Sequence, residues 1–415
     1  MKPNHQSNKG NKILLKIITY LSIIFIYLDT LVLKSVFTFD LYFYYILFPL
    51  LLVFLILMYN KLQVEKVSII VICILLLASI IVVLLKGYSY QYPLKQFFIF
   101  TFLFVFYYSI IKVNSFDVHT LFKIYVNITI VVALLGILQV LLYFLNITDI
   151  FSVLGISFTH RLKSITSEPS TIAYLFIPVV FVAVRNIFKN EYVYINKLNT
   201  YIILLSYLLT FSSIAYLGIF LTIVYNFKSL TFRRKIAYFS LFILLFFAVI
   251  NIPDLRMRLS DTFLTFFTGS DLEDINVSTL TLFINFKIAL EIFKENYIIG
   301  TGIGTYGINY NIYFSKLFDI DSSSILQFNK EDANSLFLRL LAETGIVGMF
   351  SFFYFIFNFK TRYSLNDRYG LYEALNRGVF ILIILRLLRF GNYFALGFPF
   401  FILIYVFTYK LSKGN

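Results

Sequence analysis

The sequence has no tryptophan, a single cysteine and only three histidines among its 415 residues. Cys73 lies inside an apolar run, so the chain can form neither a disulfide framework nor a CxxC metal site. With so few histidines, a histidine-rich zinc or iron centre is not expected. We therefore predict a protein without a metal and without a cofactor.

Charged residues are scarce as well. They make up 13% of the chain, against about 25% in soluble proteins. Apolar residues make up 60%, and the mean hydropathy is +0.85. This composition predicts an all-α integral membrane protein that forms a single polytopic domain over residues 1–415. Because tryptophan is absent, anchoring at the membrane interfaces would fall to the 32 tyrosines.

The apolar runs predict about 12 transmembrane segments, since one crossing needs roughly 17 to 25 apolar residues. Two of these segments form a broken, re-entrant pair between Asn199 and Asn226, interrupted at Thr210-Phe211-Ser212-Ser213. Basic clusters flank this run on both sides, and a single crossing would place one cluster outside. The remaining segments are continuous runs at 13–34, 41–59, 67–85, 96–111, 121–145, 170–185, 236–252, 345–359, 375–389 and 393–409.

The predicted topology accounts for most of the net charge of +14. With both termini in the cytoplasm, 20 of the 35 basic residues fall on cytoplasmic segments, as the positive-inside rule requires. The positive charge therefore needs no nucleic-acid partner. Two loops remain outside the cytoplasm: a short one at 146–169, and a large one at 253–344 that contains short helices and holds 12 of the 21 acidic residues.

The short outer loop contains Arg161 and Glu168, with Pro169 placed as the first residue of the next helix. At the membrane mouth a fixed guanidinium could bind phosphate, and a carboxylate could accept a proton. The alternative is an ordinary polar loop with a helix cap.

The large loop contains an interfacial helix at Leu282 to Glu295, followed by Gly300, Gly302 and Gly304. The amides of a Gly-x-Gly-x-Gly turn could approach an anion, although a simple turn also explains the pattern. A lysine on the helix, Lys287, faces away from its apolar residues.

A second helix is predicted from Asp332, with Asn334 or Ser335 as its N-cap. Arg339 and Glu343 are four residues apart and form a pair of structural character. Asn334 could instead direct its amide to a ligand. Further on, Arg386 and Arg389 lie one turn apart in an apolar helix, which indicates either a functional cavity or side chains that snorkel to the surface.

Four segments together resemble the superfamily of O-antigen ligases and Wzy-type polysaccharide polymerases of bacterial membranes, over roughly residues 155 to 360. They are Arg161 through Ser170, Leu208 through Gly218, Ile284 through Gly304, and Ala333 through Gly348. The first resembles the family's basic outer loop and the second its helix-breaking segment. The third is similar to the segment that ends in its glycine-rich turn, and the fourth to its His-Asn helix followed by Glu-x-Gly-x-x-Gly.

The sequence departs from the family pattern at four positions. Ser213 stands where the family often has arginine, Asn296 where it has proline, and Ala333 where many members, ligases especially, carry histidine. Thr281 replaces a further arginine, for which Lys287, Arg256 or Arg258 would substitute.

The resemblance implies an inverting, metal-independent glycosyl transfer on the outer face of the bacterial cytoplasmic membrane, by an enzyme with a GT-C-like fold. Donor and acceptor would both be glycans linked to undecaprenyl diphosphate, and a chain-length regulator is a further expected partner. Arg161 and Arg258 would bind the diphosphate, and Glu168 would be the base. The residues expected to bind substrate are Arg256, Lys287, Gly302, Gly304, Asn334, Arg386 and Arg389.

The product would be a surface polysaccharide such as an O-antigen, capsule or exopolysaccharide. Two alternatives remain at this point: a ligase that transfers glycan to a lipid acceptor, and a non-enzymatic flippase for lipid-linked oligosaccharide. The large outer loop and the absence of a transporter-type internal repeat favour the enzyme.

Overall fold

The computed structural model describes residues 9–28, 32–33, 41–42, 44–59, 66–147, 160–227, 277–318, 328–361 and 367–413, together with positions 236, 240 and 260. The predicted segment at 236–252 lies almost wholly outside this part of the chain, and Arg256 and Arg258 lie outside it entirely.

The described residues are almost entirely helical, which confirms the predicted all-α class. They form thirteen helices: α1 (Lys9–Tyr27), α2 (Tyr44–Tyr59), α3 (Lys66–Leu85), α4 (Gln91–Val113), α5 (Val118–Phe144), α6 (Pro169–Lys189), α7 (Lys197–Leu208), α8 (Ser213–Asn226), α9 (Val277–Glu295), α10 (Tyr306–Phe318), α11 (Leu336–Asn358), α12 (Asp367–Leu388) and α13 (Phe398–Ser412). Two-residue strands, β1 (Val32–Leu33) and β2 (Leu41–Tyr42), pair antiparallel with Val32 opposite Tyr42.

Five helices in the described part of the chain are long and apolar enough to cross a membrane. They are α3, α4, α5, α6 and α11, while α2, α8 and α13 contain shorter apolar stretches. The total of about 12 segments and the GT-C-like arrangement stay predictions.

Helix α6 is the centre of the bundle. From Thr171 to Asn186 every residue is buried, because this helix is apolar on all sides and packs against α7, α8 and α12. Gly378 of α12 allows a close approach, since a Cβ there would lie 3.0 Å from the Cα of Pro178 on α6. The bundle is therefore built around α6, whose first residues follow the Arg161–Glu168 loop.

The run from 199 to 226 is divided into α7 and α8, as the sequence predicts. These helices have 12 and 14 residues, or about 18 and 21 Å, which is shorter than the membrane core. At the break, Phe211 has a positive φ of 43°, and the Thr210 hydroxyl donates to the carbonyl of Tyr207 at 2.8 Å. The re-entrant path itself stays a prediction.

Helices α9 and α10 and the beginning of α11 enclose a second apolar cluster. The face that α9 buries there contains Ile284, Ile288, Ala289 and Ile292, so protein rather than lipid covers it. Burial raises the pKa of the neighbouring Tyr310 to about 12. Part of the predicted outer loop therefore has a core of its own.

Candidate active site

Helix α11 is broken at Gly345, where the backbone leaves helical geometry with φ 60° and ψ −159°. The break frees carbonyls on one side and amides on the other. The turn at 296–304 satisfies both sets. Thr301 and Gly302 donate their amides to the carbonyls of Ala342 and Glu343 at 3.1 and 2.8 Å, while Ile346 and Val347 donate to the carbonyls of Tyr297 and Ile298 at 2.9 and 3.1 Å. These four bonds form what we call the glycine clamp.

The clamp requires glycine at its closest points. Gly300 and Gly345 both have positive φ, and a Cβ at Gly300 would lie 2.3 Å from the carbonyl carbon of Glu343. Gly302 and Gly304 also have positive φ and approach Val83 and the backbone of Tyr92. The Gly302 amide is thus engaged by a carbonyl of the fold, rather than held open for an anion.

The Glu343 side chain, which is fully buried, accepts three hydrogen bonds. One oxygen accepts from the Tyr306 amide at 3.0 Å and from Arg339 Nε at 3.2 Å, and the other accepts from the Tyr393 hydroxyl at 2.7 Å. Tyr306 is the first residue of α10, so the positive end of that helix dipole also faces the carboxylate. A carboxylate held in this way is a structural anion.

Arg339 completes this network, which we call the Glu343 network. Its guanidinium lies 4.4 Å from the centre of the Tyr393 ring, and Nη1 donates to the Gly391 carbonyl at 3.3 Å. Arg339 is only 2% exposed. The predicted Arg339–Glu343 pair is therefore confirmed, and the sequence did not show that the pair is buried or that Tyr306 and Tyr393 complete it.

The start of α11 holds an unusual buried amide. Ser335 is the N-cap, since its side chain accepts from the Leu338 amide, so the alternative that Asn334 caps this helix is wrong. Asn334 is 3% exposed, and its Nδ2 has no hydrogen-bond partner among the residues that the structure describes. The adjacent Ala333 is fully buried in the second apolar cluster. The unpartnered amide of Asn334 therefore directly follows a buried alanine in the chain.

Arg386 and Arg389 have different surroundings. Arg386 is fully buried, which excludes the snorkelling alternative. It donates through Nε and Nη2 to the Asn392 carbonyl and through Nη1 to the Tyr174 hydroxyl at 3.0 Å. Arg389 donates to the Ser278 hydroxyl at 2.8 Å. Arg386 therefore joins the end of α12 to α6, and Arg389 joins it to α9.

The Arg161–Glu168 loop packs against the break between α7 and α8. Arg161 Nε donates to the Thr210 carbonyl at 3.3 Å, and the Leu162 amide donates to the Leu209 carbonyl at 2.9 Å. Partial burial lowers the pKa of the Lys163 ammonium in this loop. Two motifs that are about 50 residues apart in sequence are thereby brought into contact.

Glu168 is exposed and precedes α6. One of its oxygens accepts from the Ser170 hydroxyl at 2.8 Å. Lys287 is also exposed, with Nζ 5.4 Å from the Phe283 ring centre on the same helix. No contact in the described residues joins Lys287 to the Arg161–Glu168 loop, and its substrate role stays a prediction.

Residues 198–353 match the family model described as O-antigen ligase. The match contains nearly all of α7, most of α11, the whole of α8, α9 and α10, and the glycine clamp, and it confirms the resemblance over that segment. Of the Glu343 network it contains Tyr306, Arg339 and Glu343, whereas Gly391 and Tyr393 lie outside it. It supports a membrane glycan-processing role. Arg161, Glu168, Arg386 and Arg389 lie outside the matched residues. No curated protein gives a significant match to the chain.

Gly300→Ala should destabilise the protein far more than Gly87→Ala. Both glycines have positive φ, which costs a non-glycine residue about 1–2 kcal/mol. Only Gly300 also approaches another backbone, since nothing lies within 4 Å of a Cβ built at Gly87. Thermal unfolding of both purified variants in one detergent checks this. Equal losses would show that the clamp tolerates a side chain.

Glu343→Gln should lower stability by about 3–5 kcal/mol, because it leaves the buried Arg339 cation without its counter-ion. Glu291→Gln is the control, since Glu291 pairs at 2.5 Å with an exposed lysine, Lys294, and such pairs contribute about 0–1 kcal/mol. Equilibrium unfolding in the same detergent compares the two variants. A loss no greater than that of the control would contradict the structural role of Glu343.

Proposed function

We propose that the protein polymerises oligosaccharide repeat units linked to undecaprenyl diphosphate into a surface polysaccharide, on the outer face of the bacterial cytoplasmic membrane. The observation that carries this proposal is the contact between the Arg161–Glu168 loop and the α7–α8 break. The contact joins the Arg161 guanidinium to the segment that matches the O-antigen ligase family, and the Glu168 carboxylate lies in the same loop, seven residues further on.

In this proposal Arg161 stabilises the leaving group. Its Nε is fixed on the Thr210 carbonyl and its side chain is partly buried, so the guanidinium is oriented before substrate arrives. A guanidinium in a fixed orientation stabilises the charge that develops on a departing diphosphate. Arg256 and Arg258, which lie outside the described residues, would contribute further positive charge to stabilise the diphosphate, and Lys287 would do so from α9.

The reaction is a displacement at the anomeric carbon of the donor sugar. The hydroxyl oxygen of the acceptor repeat unit forms a bond to that carbon from the opposite side, which inverts its configuration. The bond from the carbon to the diphosphate oxygen breaks, and the electron pair leaves with undecaprenyl diphosphate. The hydroxyl proton passes to the Glu168 carboxylate, which is exposed and so within reach of an incoming acceptor.

Asn334 is the proposed contact to the glycan, because its buried Nδ2 lacks a partner in the described part of the chain and a sugar hydroxyl would satisfy it. Four further residues are proposed to affect substrate binding indirectly, by fixing the shape of the site. They are Gly302, Gly304, Arg386 and Arg389. The Gly302 amide and the Arg386 nitrogens already bond within the protein.

Ala333 favours a polymerase over a ligase. Many members of the family that the chain resembles, ligases especially, carry histidine at this position, whereas here a methyl group is fully buried against the apolar faces of α9 and α10. A base at this position is thus replaced by apolar packing. The second candidate, a ligase that transfers finished glycan to a lipid acceptor, would need its proton acceptor elsewhere, and Glu168 is the proposed one.

Deletion of the gene should leave single repeat units on lipid, because polymerisation is the step removed. Electrophoresis of extracted glycan from the deletion strain and from the complemented strain checks this. Unattached long chains in the deletion strain would instead identify a ligase. Lipid-linked units retained in the cytoplasmic leaflet would identify a flippase and overturn the proposal of an enzyme.

Arg161→Ala should lower polymer formation by about 10²-fold or more, the usual effect of removing a group that stabilises transition-state charge. Arg161→Lys should recover only part, since an ammonium lacks the bidentate geometry. Glu168→Gln should lower the rate by about 10²–10⁴-fold if Glu168 is the base. The assay uses purified protein and lipid-linked repeat units.

The control is Glu191→Gln, an exposed carboxylate just beyond the opposite end of α6, which should retain full activity. Normal polymer from Arg161→Ala would remove that residue from the site. An active Glu168→Gln variant would leave Glu168 as a carboxylate at a helix start with no catalytic role.

A further inference from the structure

A polar groove lies between the first halves of α1 and α5, away from the candidate active site. Its volume is about 280 Å³, and its polar lining includes Lys12, Lys16, Thr19, Thr120, Lys123 and Asn127. Gln139, further along α5, accepts from the Ser164 amide of the Arg161–Glu168 loop. Lys123 and Gln139 are 16 residues apart on one helix, or about 24 Å, so the groove and that loop are separate sites.

The two helices that form the groove run side by side in the same direction. Asn114, just before α5, donates to the Thr19 hydroxyl at 3.1 Å, and further along the Tyr27 and Thr129 hydroxyls are 2.6 Å apart. The polar residues of each helix recur at helical spacing, which gives a continuous stripe on each wall. The stripes are Lys12, Lys16 and Thr19 on α1, and Thr120, Lys123 and Asn127 on α5.

The described lining of the groove carries a net positive charge. Three of its lining residues are lysines, and none of those that the structure describes is acidic. The acidic residue next to it in sequence is Asp117, which accepts from the Thr120 amide at 3.0 Å and from the Thr120 hydroxyl at 2.5 Å. Among the neutral polar side chains, the Thr19 and Thr120 hydroxyls donate to the Leu15 carbonyl and to Asp117, whereas the amide of Asn127 can donate to a phosphate oxygen. These are the features of a site for a phosphate group.

The outer edge of the groove is apolar. Leu15, Tyr20 and Ile124 line it, and Ile13, Leu14 and Ile17 of α1 are exposed beside it. Exposed aliphatic residues on a membrane helix face lipid, so the groove opens toward acyl chains rather than toward water alone. A basic pocket between helices near the membrane surface fits the headgroup of an anionic lipid.

We propose that this groove binds the phosphate of an acidic phospholipid, whose acyl chains lie along the exposed face of α1. The three lysines and the exposed side chains of Asn127 and Thr120 contact the phosphodiester and its headgroup hydroxyls. The lysine stems cover the apolar floor while their ammonium groups reach the phosphate. The proposal is independent of glycan transfer.

The absence of tryptophan allows a direct test. Tyr20→Trp places a single fluorescent indole in the groove of the full-length protein. The variant is reconstituted in phosphatidylcholine vesicles that contain a minor fraction of brominated phosphatidylglycerol or, in the parallel sample, of brominated phosphatidylcholine. Bromine quenches only an indole that it approaches. At equal mole fraction, the brominated phosphatidylglycerol should quench the indole fluorescence about fivefold more than the brominated phosphatidylcholine does. The reason is that each lysine near a membrane surface attracts anionic lipid.

Lys12→Gln, Lys16→Gln and Lys123→Gln together should abolish this preference. The matched control removes three exposed lysines outside the groove, through Lys197→Gln, Lys410→Gln and Lys413→Gln, and should keep it. Equal quenching by the two brominated lipids would overturn the proposal, as would loss of the preference in the control. Soluble glycerol phosphate that displaces the lipid at low concentration would identify a site for a free phosphate compound instead.

A second measurement uses the protein without an introduced tryptophan. Native mass spectrometry of the detergent-solubilised protein should show retained phosphatidylglycerol in preference to phosphatidylcholine. The groove variant should retain neither lipid preferentially, while the control variant should behave as the parent does. Equal retention of phosphatidylglycerol by the parent and the groove variant would place the bound lipid elsewhere and overturn the proposal.

Discussion

The break of α11 at Gly345 is the constraint on which the candidate site depends. A broken helix leaves backbone groups that must find partners, because an unpaired buried amide or carbonyl is costly. The turn at 296–304 supplies those partners. By doing so it fixes the beginning of α10, which places the Tyr306 amide under the Glu343 carboxylate. The carboxylate then holds Arg339, so one backbone break determines the position of a buried ion pair.

The loop at 390–397 is the second shared element. Arg339 donates to the Gly391 carbonyl and Arg386 to the Asn392 carbonyl, so two fully buried guanidinium groups use neighbouring carbonyls of one loop. Tyr393 of the same loop bonds to Glu343. Buried cations are costly unless they are paired and hydrogen-bonded, and this loop, which connects α12 to α13, supplies a carbonyl acceptor to each of the two guanidinium groups. In the proposed mechanism Arg386 therefore shapes the site, while Arg161 and Asn334 contact the substrate.

Two polar regions of the described chain lie along α5. The Arg161–Glu168 loop contacts the second half of α5, whereas the lysine groove flanks the first half of the same helix. A groove with cations and no acidic lining residue among those described can hold an anionic headgroup without reaching the proposed site of transfer. Lipid binding and glycan transfer would then be separate properties that one helix connects.

Four features were predictable from the amino-acid order: the helical membrane class, the division of the run at 199–226, the Arg339–Glu343 pair and the resemblance over the matched segment. Each of these depends on composition, on local periodicity or on the spacing of residues a few positions apart, all of which can be read directly from the sequence. Only the tertiary structure showed that the Gly302 amide bonds to the Glu343 carbonyl, that Arg386 is satisfied by Asn392 and Tyr174, and that lysines of α1 and α5 share a groove. These contacts join residues that are distant in sequence, and helix packing, which no local pattern encodes, decides which of them meet.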